Sequence, residues 1–432
     1  MTQPIRPPAR IAVVGAGVAG LSSALYLHRL GHAVTIFERF REAQPVGSGL
    51  MLQPTGMTVL HDLGLLDAVL DLAQPISGLL GHDARSGRKI LDVTYRRGRF
   101  GLGVNRAALF QVLFDAVRAA GIRVETDREI VGAETSGDHV HLRDRQGRRL
   151  DANFDLVVDA AGVRSPLRDP TAPGAKPKPF AYGAFWATLR LPDAGFSFDR
   201  LEQKYERASV MIGVMPAGRI THDGPHTCAF FWSLKTADVQ AVRDAGLAAW
   251  KARVEKLWPA TAPLLAQITS FADLAVAEYA HQTLRQPYRG RVFHIGDSAH
   301  ATSPQLGQGA NMALLDARAL AHAMVRGGSI AEIGQAYARS RRLHVRLFQL
   351  ASLALTPFYQ SDGRVIPWLR DGLVATVAKV PPMPAILSDL VSGTLVSPFK
   401  AIGLKEVDWA VTGRRDTERE PVTPGTLGRR PA

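Results

Sequence analysis

At 432 residues the chain is too long for one ordinary core and is expected to form two to three domains of roughly 100–200 residues each. Hydrophobic residues make up 46% and charged residues 21%, and no run reaches the roughly 18 continuous apolar residues of a membrane span, which leaves a soluble or peripheral protein. The net charge of +13 is spread along the chain with no basic stripe interleaved with stacking aromatics; this argues against nucleic acid as a partner and leaves a general attraction for anions.

In chain order, residues 11–14 read as a short buried strand. Arg6 and Arg10 ahead of it imitate a secretory leader, but the apolar run is short and Gly15 breaks it. Residues 18–30 read as a helix with Leu21, Leu25 and Leu27 on its apolar side, ended by Gly31, and residues 33–37 as a second strand. This β-α-β unit has the size of a mononucleotide-binding half. Asn105 is expected to cap a helix running to about residue 120, whose apolar face is Leu109, Leu113, Ala116 and Val117. Alternating segments over residues 123–149, broken at Ser136-Gly137-Asp138 and Arg145-Gln146-Gly147, predict a small antiparallel meander, and residues 155–160 return as an apolar strand. Aromatic-rich strands are predicted over residues 180–191, 209–215 and 226–234, as a mainly β second domain. Among them, Cys228 has no partner for an intrachain disulfide, fits a reducing cytoplasmic compartment, and beside Ala229, Phe230 and Phe231 reads as a buried thiol.

Residues 236–256 pattern as helix, a strand resumes at Arg291, and a long helix over residues 309–325 stops at Gly327-Gly328, with residues 330–356 helical again. Residues 357–404 are apolar but interrupted by prolines; short helices packed on the body are favoured there over a membrane surface. From Thr412 the tail is charged and rich in Pro and Gly, and is expected to be disordered. His222 and His226 flank the turn Asp223-Gly224-Pro225 with no third ligand in sight, so no metal site is expected.

Two motifs carry chemistry. In Gly15-Ala16-Gly17-Val18-Ala19-Gly20 the first glycine makes the tight turn, the second admits a pyrophosphate to backbone N–H groups, and the third lets helix and strand pack closely. Glu38, at the end of the second strand, stands where an acidic side chain accepts hydrogen bonds from an adenosine ribose. These features indicate an ADP half without separating NAD from FAD. The second motif is Gly296-Asp297-Ser298-Ala299-His300 followed by Pro304-Gln305-Leu306-Gly307-Gln308-Gly309-Ala310-Asn311. It resembles the second FAD fingerprint of the class A flavoprotein aromatic monooxygenases, the family with the p-hydroxybenzoate hydroxylase fold, and the likeness extends to Met312, Leu315 and Asp316.

The resemblance implies an α/β fold in which a Rossmann-like FAD-binding domain (residues 1–75, 101–179 and 285–345) carries an inserted, mainly β substrate domain (76–100 and 180–284), C-terminal helices (346–411) and a disordered tail (412–432). It implies that Asp297 binds ribityl hydroxyls and that the helix after Gly307, Gln308 and Gly309 points its positive end at the reduced flavin, with Pro304, Ala310 and Asn311 beside it. Arg106 resembles the family's clamp on FAD. Arg39, Arg41 and the segment Gly47-Ser48-Gly49 match positions near the cofactor, and Ile130 matches a backbone contact to adenine. His300 is expected to be a structural hydrogen-bonding residue. In Asp159-Ala160-Ala161-Gly162-Val163-Arg164-Ser165 the chain keeps Gly162, Arg164, Ser165 and, beyond it, Arg168, but has Ala161 where the hydroxylases have aspartate; Asp159 resembles the variant of related reductases and halogenases, which leaves NADPH or NADH as transient co-substrate in question.

The implied reaction is reduction of FAD by NAD(P)H, addition of O2 to give a C4a-hydroperoxide, and hydroxylation of an aromatic or polyketide-like, apolar small molecule. Trp186, Tyr205, Met211, Phe231 and Trp232 lie on segments placed to line its site. No residue is singled out as a catalytic base. The alternatives are an FAD-dependent reductase of the same superfamily, a halogenase, disfavoured because the Trp-x-Trp-x-Ile-Pro motif is missing, and a membrane-associated flavoprotein without turnover. The oligomeric state is left open.

Overall fold

A computed structural model describes residues 8–42, 48–363 and 380–409. Its centre is a six-stranded sheet in the order Tyr288–Arg289, Val292–His294, Leu156–Asp159, Arg10–Val14, Ala33–Phe37, Arg123–Glu125, parallel apart from the first strand. Ile11, Ala12 and Val13 are fully buried because both faces are covered, which is why this strand reads as an unbroken apolar run. The helices Val18–Arg29, Arg106–Ala119 and Gly309–Arg326 pack Leu21, Leu109, Leu113, Leu314 and Leu315 against one face. A meander of Ile130–Ser136, His139–Asp144 and Arg149–Phe154 seals the other with Val140, Leu142 and Phe154.

The meander expected from residue 123 therefore starts at Ile130. Arg123–Glu125 instead pairs in parallel with Ala33–Phe37, because the helix before it ends at Gly121 (φ +69°) and returns the chain to the sheet as a crossover.

A seven-stranded sheet follows the order Ala275–Ala277, Tyr182–Arg190, Thr227–Lys235, Val210–Gly218, Arg200–Glu206, Gly78–Asp83, Lys89–Thr94. The last three strands and the helix Pro54–Asp62 are elements that the sequence patterns did not predict. One face packs Phe185, Phe230 and Trp232 on Trp250 of the helix Leu247–Leu257. The helix expected over 236–256 breaks before that element at Gly246, whose φ of +91° no helix accepts. Cys228 lies in the same core, and burial pushes its thiol up to about 12, so it is no nucleophile at neutral pH. At the turn after Gly218, Arg219 donates to the His226 ring and to the His222 carbonyl, which accounts for that histidine pair.

The long C-terminal helix runs Ile330–Tyr359 behind a capping box of Ser329 and Glu332. The helix Met383–Val391 and the turn Lys400–Ile402 follow; expectations for residues 364–379 and 412–432 fall outside the described residues. No helix among the described residues is long and apolar enough to cross a membrane. Arg99, almost buried, fastens this end to the body through Asp389 (Nη1 to Oδ1, 2.7 Å) and Glu406 (Nε to Oε1, 2.7 Å). Losing such charged hydrogen bonds costs about 1.5–3 kcal/mol, so Arg99→Met is expected to open residues 383–409 to limited proteolysis while the remainder stays resistant. Equal cleavage patterns for both proteins would refute this.

Candidate active site

The Gly15–Gly20 loop leaves the first strand with the Gly15 N–H on the Phe37 carbonyl at 2.8 Å. Gly15 has φ +104°, and a Cβ there would stand 2.6 Å from the Ala160 carbonyl oxygen; one on Gly20 would stand 1.9 Å from the Gly15 carbonyl oxygen. Gly17 differs: nothing lies within 4 Å of where its Cβ would be. It is also the N-cap of the helix Val18–Arg29, and no side chain caps that end. An uncapped helix start facing open space offers N–H groups and partial positive charge to an anion. The buried Glu38 carboxylate accepts from the Ala16 N–H (2.8 Å) and the Phe40 N–H (3.1 Å), so the loop itself orients it. Val18 and Ala19 are half-buried, and Arg39 and Arg41 lie exposed alongside, Arg39 over the Phe40 ring.

The second segment turns at Gly296 (φ +57°) into Asp297, which is open to solvent although crowded by protein on its other sides. Desolvation raises its carboxyl above the ordinary range, opposed by His300 and Arg106 and reinforced by Asp316. Arg106, exposed at the start of its helix, acts electrostatically on both Asp297 and Tyr279 and lowers both.

A buried network holds this turn from behind. Asp316, fully buried, accepts from the Gly296 N–H (2.8 Å), His300 Nε2 (2.6 Å) and Arg341 Nε (2.7 Å). Burial alone would raise its carboxyl, but His300 and Arg341 overcome that and hold it at about 2. Ser298 Oγ donates to the Asp159 carbonyl, and the Arg168 guanidinium joins the carbonyls of Gly162, Val163 and Ser298. His300 is thus spent on structure. Arg168 belongs to the middle fingerprint, whereas Arg341 belongs to no motif read in the sequence, since it acts on residues of another helix.

Several residues expected near the cofactor engage their side chains within the protein. The Asp159 carboxylate is fully buried and satisfied by His294 Nδ1 (2.7 Å), Ser165 Oγ (2.6 Å) and the Ala161 N–H (3.0 Å), which leaves nothing for a cofactor; Gly162 beside it (φ +80°) stays open. Gln308 donates its side chain to the Val391 carbonyl, and Asn311 accepts from the Gln53 N–H while donating to the carbonyls of Met51 and Gly307. Their side chains brace the loop, so what Pro304, Gly307, Gly309 and Ala310 leave toward the open side is backbone, with no side-chain cap on the helix Gly309–Arg326. Ile130 buries its side chain in the meander core and keeps only backbone for a ligand. Gly49 begins the strand Gly49–Leu52, too close to Ala229 for any side chain, and Gly47 falls outside the described residues.

On the large sheet, Tyr205, Met211 and Phe231 form one apolar cluster with Ile90, and Trp186 lies against the Phe231 ring at 4.7 Å. Trp232 is not with them. Alternate residues of a strand face opposite ways, so its indole sits in the other core, stacked on Phe185 and against Trp250. Two tyrosines escaped the sequence reading: Tyr279, which accepts from Trp186 Nε1 at 2.8 Å, and Tyr95, whose hydroxyl donates to Gln53. Burial holds the Tyr279 phenol up at about 12, so it stays protonated in ordinary buffers.

Comparison with known proteins agrees with this architecture. The model of the FAD binding domain family matches residues 9–348. 2-Heptyl-3-hydroxy-4(1H)-quinolone synthase of Pseudomonas aeruginosa is 28% identical over 381 residues, covering 85% of this chain and 94% of that protein. 3-Amino-4-hydroxybenzoate 2-monooxygenase of Streptomyces cremeus is 28% identical, covering 82% of this chain and 89% of its own. Among solved structures, Klebsiella pneumoniae HpxO complexed with FAD and uric acid superposes with a TM-score of 0.74 at 22% identity, covering 90% of this chain and 98% of that one. With the family model spanning most of its length, and two uncapped helix starts standing where the fingerprints demand them, the chain belongs to the FAD-binding-domain family of class A flavoprotein monooxygenases and is an FAD-dependent oxidoreductase.

Proposed function

We propose that the Gly15–Gly20 loop and Glu38 hold the ADP half of FAD, that Asp297 and the start of the helix Gly309–Arg326 receive its ribityl and ring end, and that the reaction is hydroxylation of an aromatic small molecule. The donor set suits that group. Gly17 leaves space where backbone must meet a pyrophosphate, and Asp297 is a carboxylate open on one side only. When bound and reduced by NAD(P)H, FAD supplies electrons to O2. The balanced reaction consumes one aromatic C–H, O2, NAD(P)H and a proton, and yields the C–OH product, water and NAD(P)+.

The observation that carries this reading is that Asn311, at the start of the helix Gly309–Arg326, bonds the Gln53 N–H and the Met51 carbonyl, while Met51 packs in one cluster with Met215, Ala229 and Trp186 of the large sheet, which brings that sheet to the second fingerprint. Around that point Trp186, Phe231 and Met211 form an apolar wall that would keep water from a bound flavin and hold an aromatic substrate beside it. The uncapped helix start would hold the ring end of FAD and favour negative charge there. Tyr279, fixed by Trp186 and kept protonated, donates a hydrogen bond to a substrate hydroxyl or carbonyl and orients it. The test is substrate-stimulated NAD(P)H oxidation by the yellow holoenzyme under labelled O2, across phenols, aminobenzoates and quinolones. One labelled oxygen in the product supports hydroxylation; a product reduced without label would assign the alternative reductase reading. Tyr279→Phe is expected to lower kcat/KM up to about tenfold, mainly through KM, because one hydrogen bond worth about 1.5 kcal/mol is lost. Unchanged KM would remove Tyr279 from the substrate site.

A further inference from the structure

The outer face of the helix Ile330–Tyr359 is not the polar surface that a helix turned to water ordinarily presents. At 3.6 residues per turn Arg339, Arg342, Leu343, Arg346, Leu350 and Leu353 fall within about 100° of its circumference, and all six are exposed. The opposite side packs Ile333, Tyr337, Val345 and Phe348 into the body, so the core-facing stripe is already complete. Leu343 is nevertheless 65%, Leu350 66% and Leu353 41% exposed, and three leucines on one stripe are more than isolated surface apolar residues. Leu395, also exposed, belongs to the same region: it lies two residues beyond Gly393, whose carbonyl accepts from His344 Nε2 at 3.0 Å.

The charge on this face has one sign. After Glu332 the helix contains no acidic residue, and Arg339, Arg342 and Arg346 have no side-chain hydrogen-bond or ion-pair partner among the described residues. Arginine stems lie along apolar surface while their heads reach outward, so this stripe matches a surface that is apolar within and anionic at its edge. A second copy of the chain meets only the apolar half of that requirement. Pairing through the leucines would set the arginines against the partner's arginines or leucines, with no carboxylate on the helix to receive them. An anionic lipid surface supplies acyl chains for the leucines and charged headgroups for the arginines. We propose that this face of the helix Ile330–Tyr359 seats the protein on an anionic lipid surface, lying on it and not crossing it, since no helix among the described residues is long and apolar enough to span. Docking of this kind needs no turnover and is independent of the hydroxylase reading. Its bearing on that reading is positional: the helix ends with Tyr359 against the cluster of Ile90, Tyr205, Met211 and Phe231, which brings the apolar substrate face toward the lipid.

The test is sedimentation of the full-length, FAD-loaded protein with phosphatidylcholine vesicles, prepared with and without phosphatidylglycerol. Three arginines at about fivefold each predict partitioning onto the anionic vesicles about a hundredfold stronger than onto the neutral ones, weakening as salt is raised. Leu350→Ser/Leu353→Ser changes no charge, so it separates a seated helix from the attraction that the net charge of +13 would give by itself. It is expected to lose about tenfold or more of the partitioning. Arg342→Gln/Arg346→Gln is expected to lose about twentyfold. FAD content and Tm should be unchanged in both, because all four side chains are exposed. No binding to anionic vesicles, equal binding to both kinds of vesicle, or binding that the leucine variant leaves undiminished overturns the proposal. Sedimentation velocity without lipid covers the other occupant: a dimer that Leu350→Ser/Leu353→Ser dissociates assigns the face to a second copy and overturns it equally. Substrate-stimulated NAD(P)H oxidation without vesicles keeps the two readings apart, since a protein that docks as expected but never hydroxylates loses the reaction and keeps the surface.

Discussion

Gly20→Val will purify without FAD. A Cβ at this position stands 1.9 Å from the Gly15 carbonyl oxygen, 3.0 Å from its carbon and 3.3 Å from Val13 Cγ1. Non-bonded carbon atoms settle at roughly 3.5–4.0 Å, so the helix Val18–Arg29 must move off the strand by about an ångström or more. The nearest clashing atoms are backbone, and no side chain can rotate away. Overpacking of this kind costs about 1–3 kcal/mol, and the displaced helix start no longer meets the pyrophosphate. Gly17→Ala provides the contrast: its φ is −78°, ordinary for alanine, and nothing lies within 4 Å of the added methyl. It should keep the wild-type Tm in the FAD-free form while binding FAD at least about tenfold more weakly, because the methyl enters only the ligand's space. Flavin absorbance per protein and thermal melts of both forms decide it. A fully yellow Gly20→Val protein, or a Gly17→Ala protein with undiminished affinity, would show that the loop does not cradle the cofactor.

The contrast also marks what was legible in the sequence. Residues 11–37 and 309–325 carried their own signals, an apolar run, glycines at fixed offsets and a helical stripe, and the structure has elements there within a residue or two. Arg200–Glu206 had the opposite local character: Arg-Leu-Glu-Gln-Lys-Tyr-Glu favours helix by propensity and is a strand only because Gly78–Asp83 pairs with it in parallel across more than a hundred residues. Gly78–Asp83 was unreadable for the same reason. At the site, the fingerprints located the right stretches but could not say which atoms face the ligand. Gln308, Asn311 and Asp159 turned out to spend their side chains on the protein, leaving the backbone to the cofactor side. The Asp316–Arg341–His300 network was out of reach because only tertiary packing brings a residue of one helix under the turn of another.

That network makes the protein sensitive to acid, with a sign the geometry sets. His344 donates Nε2–H to the Gly393 carbonyl at 3.0 Å and accepts from Arg341 at Nδ1, an arrangement open only to the neutral ring. Burial, reinforced by Arg341, lowers its pKa from 6.5 to about 3. Between those values the unfolded chain takes up a proton that the native protein refuses, so stability present above pH 6.5 is lost as pH falls, at about 1.4 kcal/mol per pH unit. Asp316, at about 2 when folded against 3.8 unfolded, adds a second loss below 3.8 as its ion pairs with His300 and Arg341 are protonated away. His32 and His281 are also held below the ordinary value and contribute to the slope, so the measurement must be a difference. Gln at 344 keeps a donor for Gly393 but has no proton to gain. Denaturant titrations of holoenzyme from pH 7 to 4 should therefore show His344→Gln less stable at neutral pH yet flatter toward acid, the two curves converging by about 1.4 kcal/mol per unit below pH 6.5. Parallel curves would mean that His344 already titrates in the native state and that Arg341 does not hold it neutral.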